Sequence, residues 1–241
     1  PMGILGTIIL FFGWFGFNPG SALGFTGGFR DLAVIAAVNT LLAGAAGGIS
    51  SMFYMWWIGS SKKPDPGMSV NGVLAGLVAI TAPCAFVDPW AAVVIGLVAG
   101  VLVALATFTL ERMHIDDPVG AAPVHMVNGA WGVLAVGIFA NGNPLTAAWN
   151  GVPTPVTGLL YGGSSQIIAQ AVEVVAIFVT VFVLGFVFFK ILNGVGILRS
   201  KPEDELAGLD LPEMGAPGYT NDDMVMHGGL YGPRIKGSTS A

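Results

Sequence analysis

The chain has 241 residues, of which 54% are hydrophobic and only 10% charged, with a formal net charge of −5. A soluble domain carries about a quarter charged residues. This composition therefore excludes an ordinary soluble globule, and there is no basic patch for nucleic acid. One cysteine, Cys84, excludes an internal disulfide, and three scattered histidines give no metal-ligand spacing.

Several charge-free stretches reach the roughly 20 apolar residues that cross a bilayer. They show little alternation of apolar and polar residues, so helices are expected rather than a barrel. The expected fold is an all-α polytopic membrane protein with six spans. The first covers about residues 2 to 23. It opens with no charged leader, which leads us to expect sequence upstream. The second runs from about 32 to 59, the third from 70 to 83 and the fourth from 90 to 110. The fifth opens at Asp117-Pro118 and ends near Asn141. A polar loop follows to about residue 163, and the sixth span runs from about 164 to 192. Residues 1–199 are expected to form the bundle and residues 200–241 a polar tail, which holds seven of the fourteen acidic residues. Lys62, Lys63, Arg112, Lys190, Arg199 and Lys201 fall on one side of this arrangement and Arg30 on the other. The positive-inside rule then puts both chain ends in the cytoplasm.

Small-residue pairs recur: Gly44 and Gly48, Gly72 and Gly76, Gly96 and Gly100. Such spacing lets helix backbones approach closely and argues for a compact bundle.

Two stretches carry candidate chemistry. In "GWFGFNPGS" (13–21), Trp14, Phe17 and Ser21 share one helical face, and Gly13, Gly16 and Gly20 form a bare stripe beside it. The bare stripe suits close packing on another helix. The other offers aromatic faces and a hydroxyl, which together can replace part of the water around a small cation. The plain alternative is a packed aromatic stripe. In "DDPVGAAPVHMVNGAWG" (116–132), Asp117 can cap a helix with Pro118 at its first position. His125 stands eight residues on, about 12 Å up the axis. Ala121, Ala122, Gly129 and Gly132 would leave its face stripped of bulk. An ionisable side chain at membrane depth is a functional candidate, against the alternative of a histidine bonded to a neighbouring helix. Gln166, Gln170 and Glu173 read as a polar helix–helix seam. Asn128 is a candidate for a bond across helices, and His114 and His227 read as solvated.

These two stretches, with "GVLAGLVAITAPCAFVDPWAAVVIGLVAG" (72–100) and "ELAGLDLPEMGAPGY" (205–219), resemble the ammonium transporter, methylammonium permease and Rhesus family. The resemblance runs in order from about residue 2 to 219. It implies an eleven-helix fold of two inverted repeats plus a long final helix, of which this chain looks like the second repeat and that helix. It implies a homotrimer in the plasma membrane with one pore per subunit, acting in nitrogen metabolism, with no enzyme activity, cofactor or metal. Position by position, Phe17 resembles a pore-gating phenylalanine and Trp14 a pore-lining aromatic. Ser21 resembles the hydroxyl that recruits ammonium, and His125 one of twin pore histidines. Asp117 resembles the acidic residue at the foot of that helix, a further candidate for the proton relay. The implied function is recruitment of ammonium, its deprotonation and conduction of ammonia. The alternatives are an ammonium sensor or transducer, or a Rhesus-type gas channel. The first-repeat counterparts have no candidates here, so the expectation is a longer protein or a partner chain. The tail resembles a segment where PII-type regulatory proteins dock.

Two other classes fit poorly. Ser21 lies in Pro19-Gly20-Ser21-Ala22, not in the GxSG of an intramembrane serine protease. Asn18-Pro19-Gly20 only vaguely resembles one of the two half-helix motifs an aquaporin needs.

Overall fold

A computed structural model describes residues 1–146 and 154–216. His227 and the end of the tail lie outside the described residues. Helices dominate: α1 (Met2–Gly20), α2 (Gly28–Trp57), α3 (Pro66–Thr81), α4 (Pro89–Arg112), a π-helical turn (Ala122–Val127) running into α5 (Asn128–Phe139), α6 (Ser165–Gly194) and α7 (Pro202–Ala207). Among the described residues the only β-type pairing is a single bridge between Asn141 and Thr157. Among the described residues five segments are long and apolar enough to cross a membrane, the fourth being the π turn and α5 taken together.

Helix ends differ from the expected ones for local reasons. The first helix stops at Gly20, not residue 23, because Pro19 and Gly20 disrupt its last turn and Leu23 takes a left-handed φ of 62°. The third starts at Pro66, earlier than expected, because Asp65 caps it by accepting the Met68 N–H at 2.6 Å. At 16 residues α3 spans about 24 Å, shorter than the hydrocarbon layer. The turn Ala82–Asp88 extends it, and Asn39 of α2 holds that turn. Its Nδ2 donates to the carbonyls of Cys84 and Val87, each at 2.8 Å.

The chain divides into two compact units, Pro1–Val179 and Thr180 onward. The core of the first is the α2–α3–α4 bundle, where Ala43, Ala75, Ile80, Ala91, Ile95, Ala99 and Val103 are fully buried. Its seams are built on glycine. A Cβ at Gly76 or Gly96 would run into the Ala43 carbonyl, and one at Gly100 into the Gly47 carbonyl. Two of the expected small-residue pairs, on α3 and α4, thus converge on one stretch of α2. The polar seam is present as well. With its amide turned to satisfy both neighbours, Gln170 donates to Glu173 and to the Val133 carbonyl of α5 at 3.2 Å, and accepts from Gln166 at 2.7 Å.

The second unit carries the rest of α6, most of whose apolar side chains are exposed. Lys190 Nζ lies 5.4 Å from the Phe186 ring. Beyond it, Arg199 pairs with Glu205 at 2.9 Å, and Ser200 donates to Glu213 at 3.0 Å.

Candidate functional site

The α1 stripe forms one wall of a cleft. Phe17, Asn18 and Ser21 line about 240 Å³ of space with Leu32 and Ala36 of α2 and Thr81, Cys84 and Phe86 at the end of α3. Trp14 ties α1 to α3: its Nε1 donates to Thr81 Oγ1 at 2.9 Å. Its ring meets Phe17 edge-on, centroids 6.3 Å apart. This fixes one flank of Phe17, yet Phe17 stays 59% exposed. Ser21 is exposed, and its hydroxyl donates to the Phe17 carbonyl at 2.7 Å. The hydrogen is committed, so Ser21 Oγ presents only lone pairs.

The bare stripe of α1 is not packed within this chain. Nothing lies within 4 Å of a Cβ built at Gly13, Gly16 or Gly20. The close packing expected of it is absent among the described residues, because α2 and α3 meet the opposite side, where Thr7, Asn18 and Pro19 are buried.

The His125 segment departs from the expected helix. Pro118 is not its first residue: the helical segment starts at about Ala121. Asp117 still caps it, from across a turn that contains Gly120 at a φ of 74°. Its two carboxylate oxygens accept the N–H groups of Ala121 and Ala122, each at 2.8 Å. His125 therefore lies one turn into the helical segment, not eight residues up a continuous helix. The first turns are π-helical, a geometry frequent at functional sites. Asn128 accounts for part of this. Its Nδ2 donates to the Pro123 carbonyl five residues back at 2.9 Å, so it bonds within its own segment and not across helices.

The wider turn also changes which residues flank the imidazole. Gly132 does not clear space for His125; it lets α5 rest on α3, where a Cβ would strike the Ala79 carbonyl. His125 and Met126 are exposed, while Pro123, Val124 and Asn128 are buried. The imidazole therefore looks away from the bundle core. The turn before it lines a second cleft of about 250 Å³ with Glu111, Asp116 and Asp117. His114, in the same stretch, is exposed as expected.

Sequence reasoning passed over two polar groups beside the candidate residues. Asn18 is legible only within the aromatic motif and as part of a vague half-helix motif, yet the residue is 3% exposed and its side chain reaches Thr40. Asp88, between the third and fourth spans, gathers Asn141 at 2.8 Å and the Tyr161 hydroxyl at 2.6 Å. That carboxylate raises the Tyr161 pKa above its ordinary value of 10.0. No local spacing signals either contact, since their partners lie 22 to 73 residues away.

Residues 1–219 match the model of the Ammonium Transporter Family. The chain is 47% identical over 220 residues to ammonium transporter Amt2 of Archaeoglobus fulgidus, covering 90% of this chain and 45% of that protein. It is 42% identical over 212 residues to a putative ammonium transporter of Synechocystis, covering 88% and 43%. Among solved structures, a sensor Amt protein superposes with a TM-score of 0.74 at 37% identity, covering 87% of this chain and 48% of that one. Mep2 of Saccharomyces cerevisiae superposes at 0.73 with 29% identity, covering 83% and 44%. The chain spans about half the length of these relatives.

Proposed function

Since the chain belongs to the ammonium transporter family, we propose that it is the second-repeat half of an ammonium transporter pore, with residues 1–199 in the membrane and 200–241 as a cytoplasmic tail. Ammonium is recruited at the α1 cleft and deprotonated, and ammonia passes along a path lined by His125. The observation that carries this reading is the exposure of Phe17, Ser21 and His125 beside the packed α2–α3–α4 core. A pore-lining residue contributed by half a pore is open until the other half closes over it.

The chemistry follows from desolvation. Moving a bare cation into a dry apolar passage costs tens of kcal/mol by Born estimates. Ammonium escapes that cost by giving up its proton, and potassium cannot. Ser21 Oγ, with its hydrogen committed to the Phe17 carbonyl, accepts an N–H of the incoming ion. Phe17 and Trp14 offer ring faces and edges beside it, and Phe17 gates the passage. His125 lines the ammonia path and relays the proton. Asp117 orders the entry to the His125 segment by holding two N–H groups, and a relay role for it rests on its place beside Glu111 and Asp116.

The assembly proposed is a homotrimer in the plasma membrane with the C-terminus cytoplasmic, on the balance of lysine and arginine. Docking of a PII-type protein on the tail is proposed from its "ELAGLDLPEMGAPGY" segment. Binding to membranes with and without residues 200–241 tests it.

His125→Ala and His125→Asp in the full-length protein, reconstituted in liposomes, test the pore reading. Ammonium flux is expected to fall by about 10² or more, or selectivity over potassium to be lost. Unchanged flux and selectivity would end the role given to His125. A sensor is the second reading, favoured by the likeness to a sensor Amt protein. Saturable ammonium binding with no flux would establish it, and a Rhesus-type gas channel would show flux without ammonium saturation. The denatured intact mass of the purified polypeptide decides the division of the pore. A mass well above 24.8 kDa puts both repeats on one chain, and 24.8 kDa requires a partner chain.

A further inference from the structure

The cleft at the end of α1 holds a polar group whose orientation is fixed by its neighbours. Thr40 Oγ1 donates its one hydrogen to the Ala36 carbonyl at 2.6 Å. Toward Asn18 it can therefore only accept, and it does, from Asn18 Nδ2 at 2.9 Å. That contact settles which arm of the Asn18 amide is nitrogen. The other arm, Oδ1, has no donor among the described residues, and Asn18, 3% exposed as a residue, lines the cleft. An amide oxygen with no protein donor is left to accept from whatever enters the cleft.

The hydroxyls around it follow the same rule. Ser21 Oγ donates to the Phe17 carbonyl at 2.7 Å, and Thr81 Oγ1 to the Leu77 carbonyl at 2.8 Å. Thr81 then accepts from Trp14 Nε1. Each hydroxyl hydrogen is turned back onto its own helix, so the Ser21 and Asn18 oxygens offer lone pairs to the cleft. They stand three residues apart, Asn18 on α1 and Ser21 capping its end, a spacing that places side chains on neighbouring positions of one face. A cleft with two oxygen acceptors and no charged side chain in its lining fits a ligand that donates. Ammonium and primary alkylammonium ions are that class.

We propose that Asn18 Oδ1 is a second acceptor for the ammonium ion, beside Ser21 Oγ, held in its ligating orientation by Thr40. The proposal rests on the α1 cleft being the recruitment site. It makes Asn18 a binding residue and Thr40 a positioning residue that never meets the ion.

Two roles of Asn18 separate by substitution. Its nitrogen serves the bond to Thr40, and its oxygen serves the ion. Asn18→Ala removes both; Asn18→Asp removes the donor and keeps acceptors, and the Thr40 hydroxyl can turn its hydrogen to the carboxylate. The measurement is the half-saturating ammonium concentration for uptake by the full-length protein in liposomes, with thermal unfolding of each variant as a control on folding. Asn18→Ala is expected to raise that concentration about tenfold, the loss of one hydrogen bond to a charged group. Asn18→Asp is expected to recover most of it. Thr40→Val, which frees the amide to turn, is expected to raise it about threefold, a part of that loss. An Asn18→Asp variant that folds normally but is as impaired as Asn18→Ala would overturn the proposal. So would an Asn18→Ala variant with unchanged half-saturation. Ser21→Ala and Phe17→Ala measured alongside tell the two readings apart. If they raise the half-saturating concentration and Asn18→Ala does not, Asn18 alone is misassigned. If none of the three moves it, the cleft is not the recruitment site and the proposal falls with that reading.

Discussion

The α2–α3–α4 seam and the α1 face are both rich in glycine, yet they use it in opposite ways. At the seam, Gly76, Gly96 and Gly100 lie against backbone carbonyls of α2, and a Cβ would collide with each. On α1, Gly13, Gly16 and Gly20 face open space. The seam is complete within the chain; the α1 face is built for contact and has none among the described residues. Phe17, Ser21 and His125 share that exposure, while the Asn39 and Ser51 side chains inside the bundle are wholly buried and bonded to main-chain carbonyls. One region holds the fold; the other, in the proposed reading, is the face that the rest of the pore would cover.

The sharpest way to break this comparison is a large side chain at the seam. Gly76→Leu drives side-chain atoms into the Ala43 backbone, which cannot move without parting α2 from α3. Destabilisation of roughly 3 kcal/mol or more is expected, read as loss of monodisperse protein in detergent. Gly16→Leu should leave hydrogen exchange in α2, α3 and α4 unchanged, because nothing within 4 Å meets it. It should nevertheless weaken the complete assembly. Equal damage from both substitutions would erase the distinction.

Asn39→Leu comes next. It removes both bonds that hold the α3–α4 turn and leaves the Cys84 and Val87 carbonyls without their donor. About 2 kcal/mol is expected, from the buried groups left unpaired, as a lowered thermal midpoint with the half-saturation for ammonium little changed.

Asp117→Ala deletes the acceptors of two helix N–H groups. A loss of about 1 kcal/mol is expected, with faster hydrogen exchange confined to the segment that carries His125. Exchange that stays slow there would show that the π-helical turn does not depend on its cap.

The smallest effect concerns pH. The Asp88 carboxylate raises the Tyr161 pKa, because the neutral phenol donates to it and the phenolate would be repelled. The stability it contributes is full below 10.0, the ordinary value, and is lost as pH rises through the higher folded-state pKa. Tyr161→Phe should remove that alkaline step from the unfolding profile and leave the profile near pH 7 almost unchanged. A step that persists in the variant belongs to another group.

Much of this was legible in the sequence. Uninterrupted apolar runs set the helical spans, since a chain in lipid must satisfy its backbone internally. The small-residue spacing foretold the seam. The face shared by Trp14, Phe17 and Ser21 follows from 3.6 residues per turn, and the structure keeps it. The His125 stripe was misread because the same period was applied across Pro118 to Pro123, where the segment is a capped turn and then π-helical. A register drawn at 3.6 residues per turn loses its face over such a stretch.

What the sequence by itself determined is what depends on nearest neighbours along the chain: apolar length, glycine where backbones must touch, the aromatic stripe, Asp117 as a cap. Tertiary structure alone decided which glycine face found a partner and which stayed bare. It also decided which way the Asn18 amide turned, and that Asp88, Asn141 and Tyr161 meet. Each of these joins residues far apart in sequence, and their distance and orientation are set by how whole helices pack. A hydroxyl's hydrogen goes wherever the surrounding carbonyls stand, and only the packed bundle puts the carbonyls there.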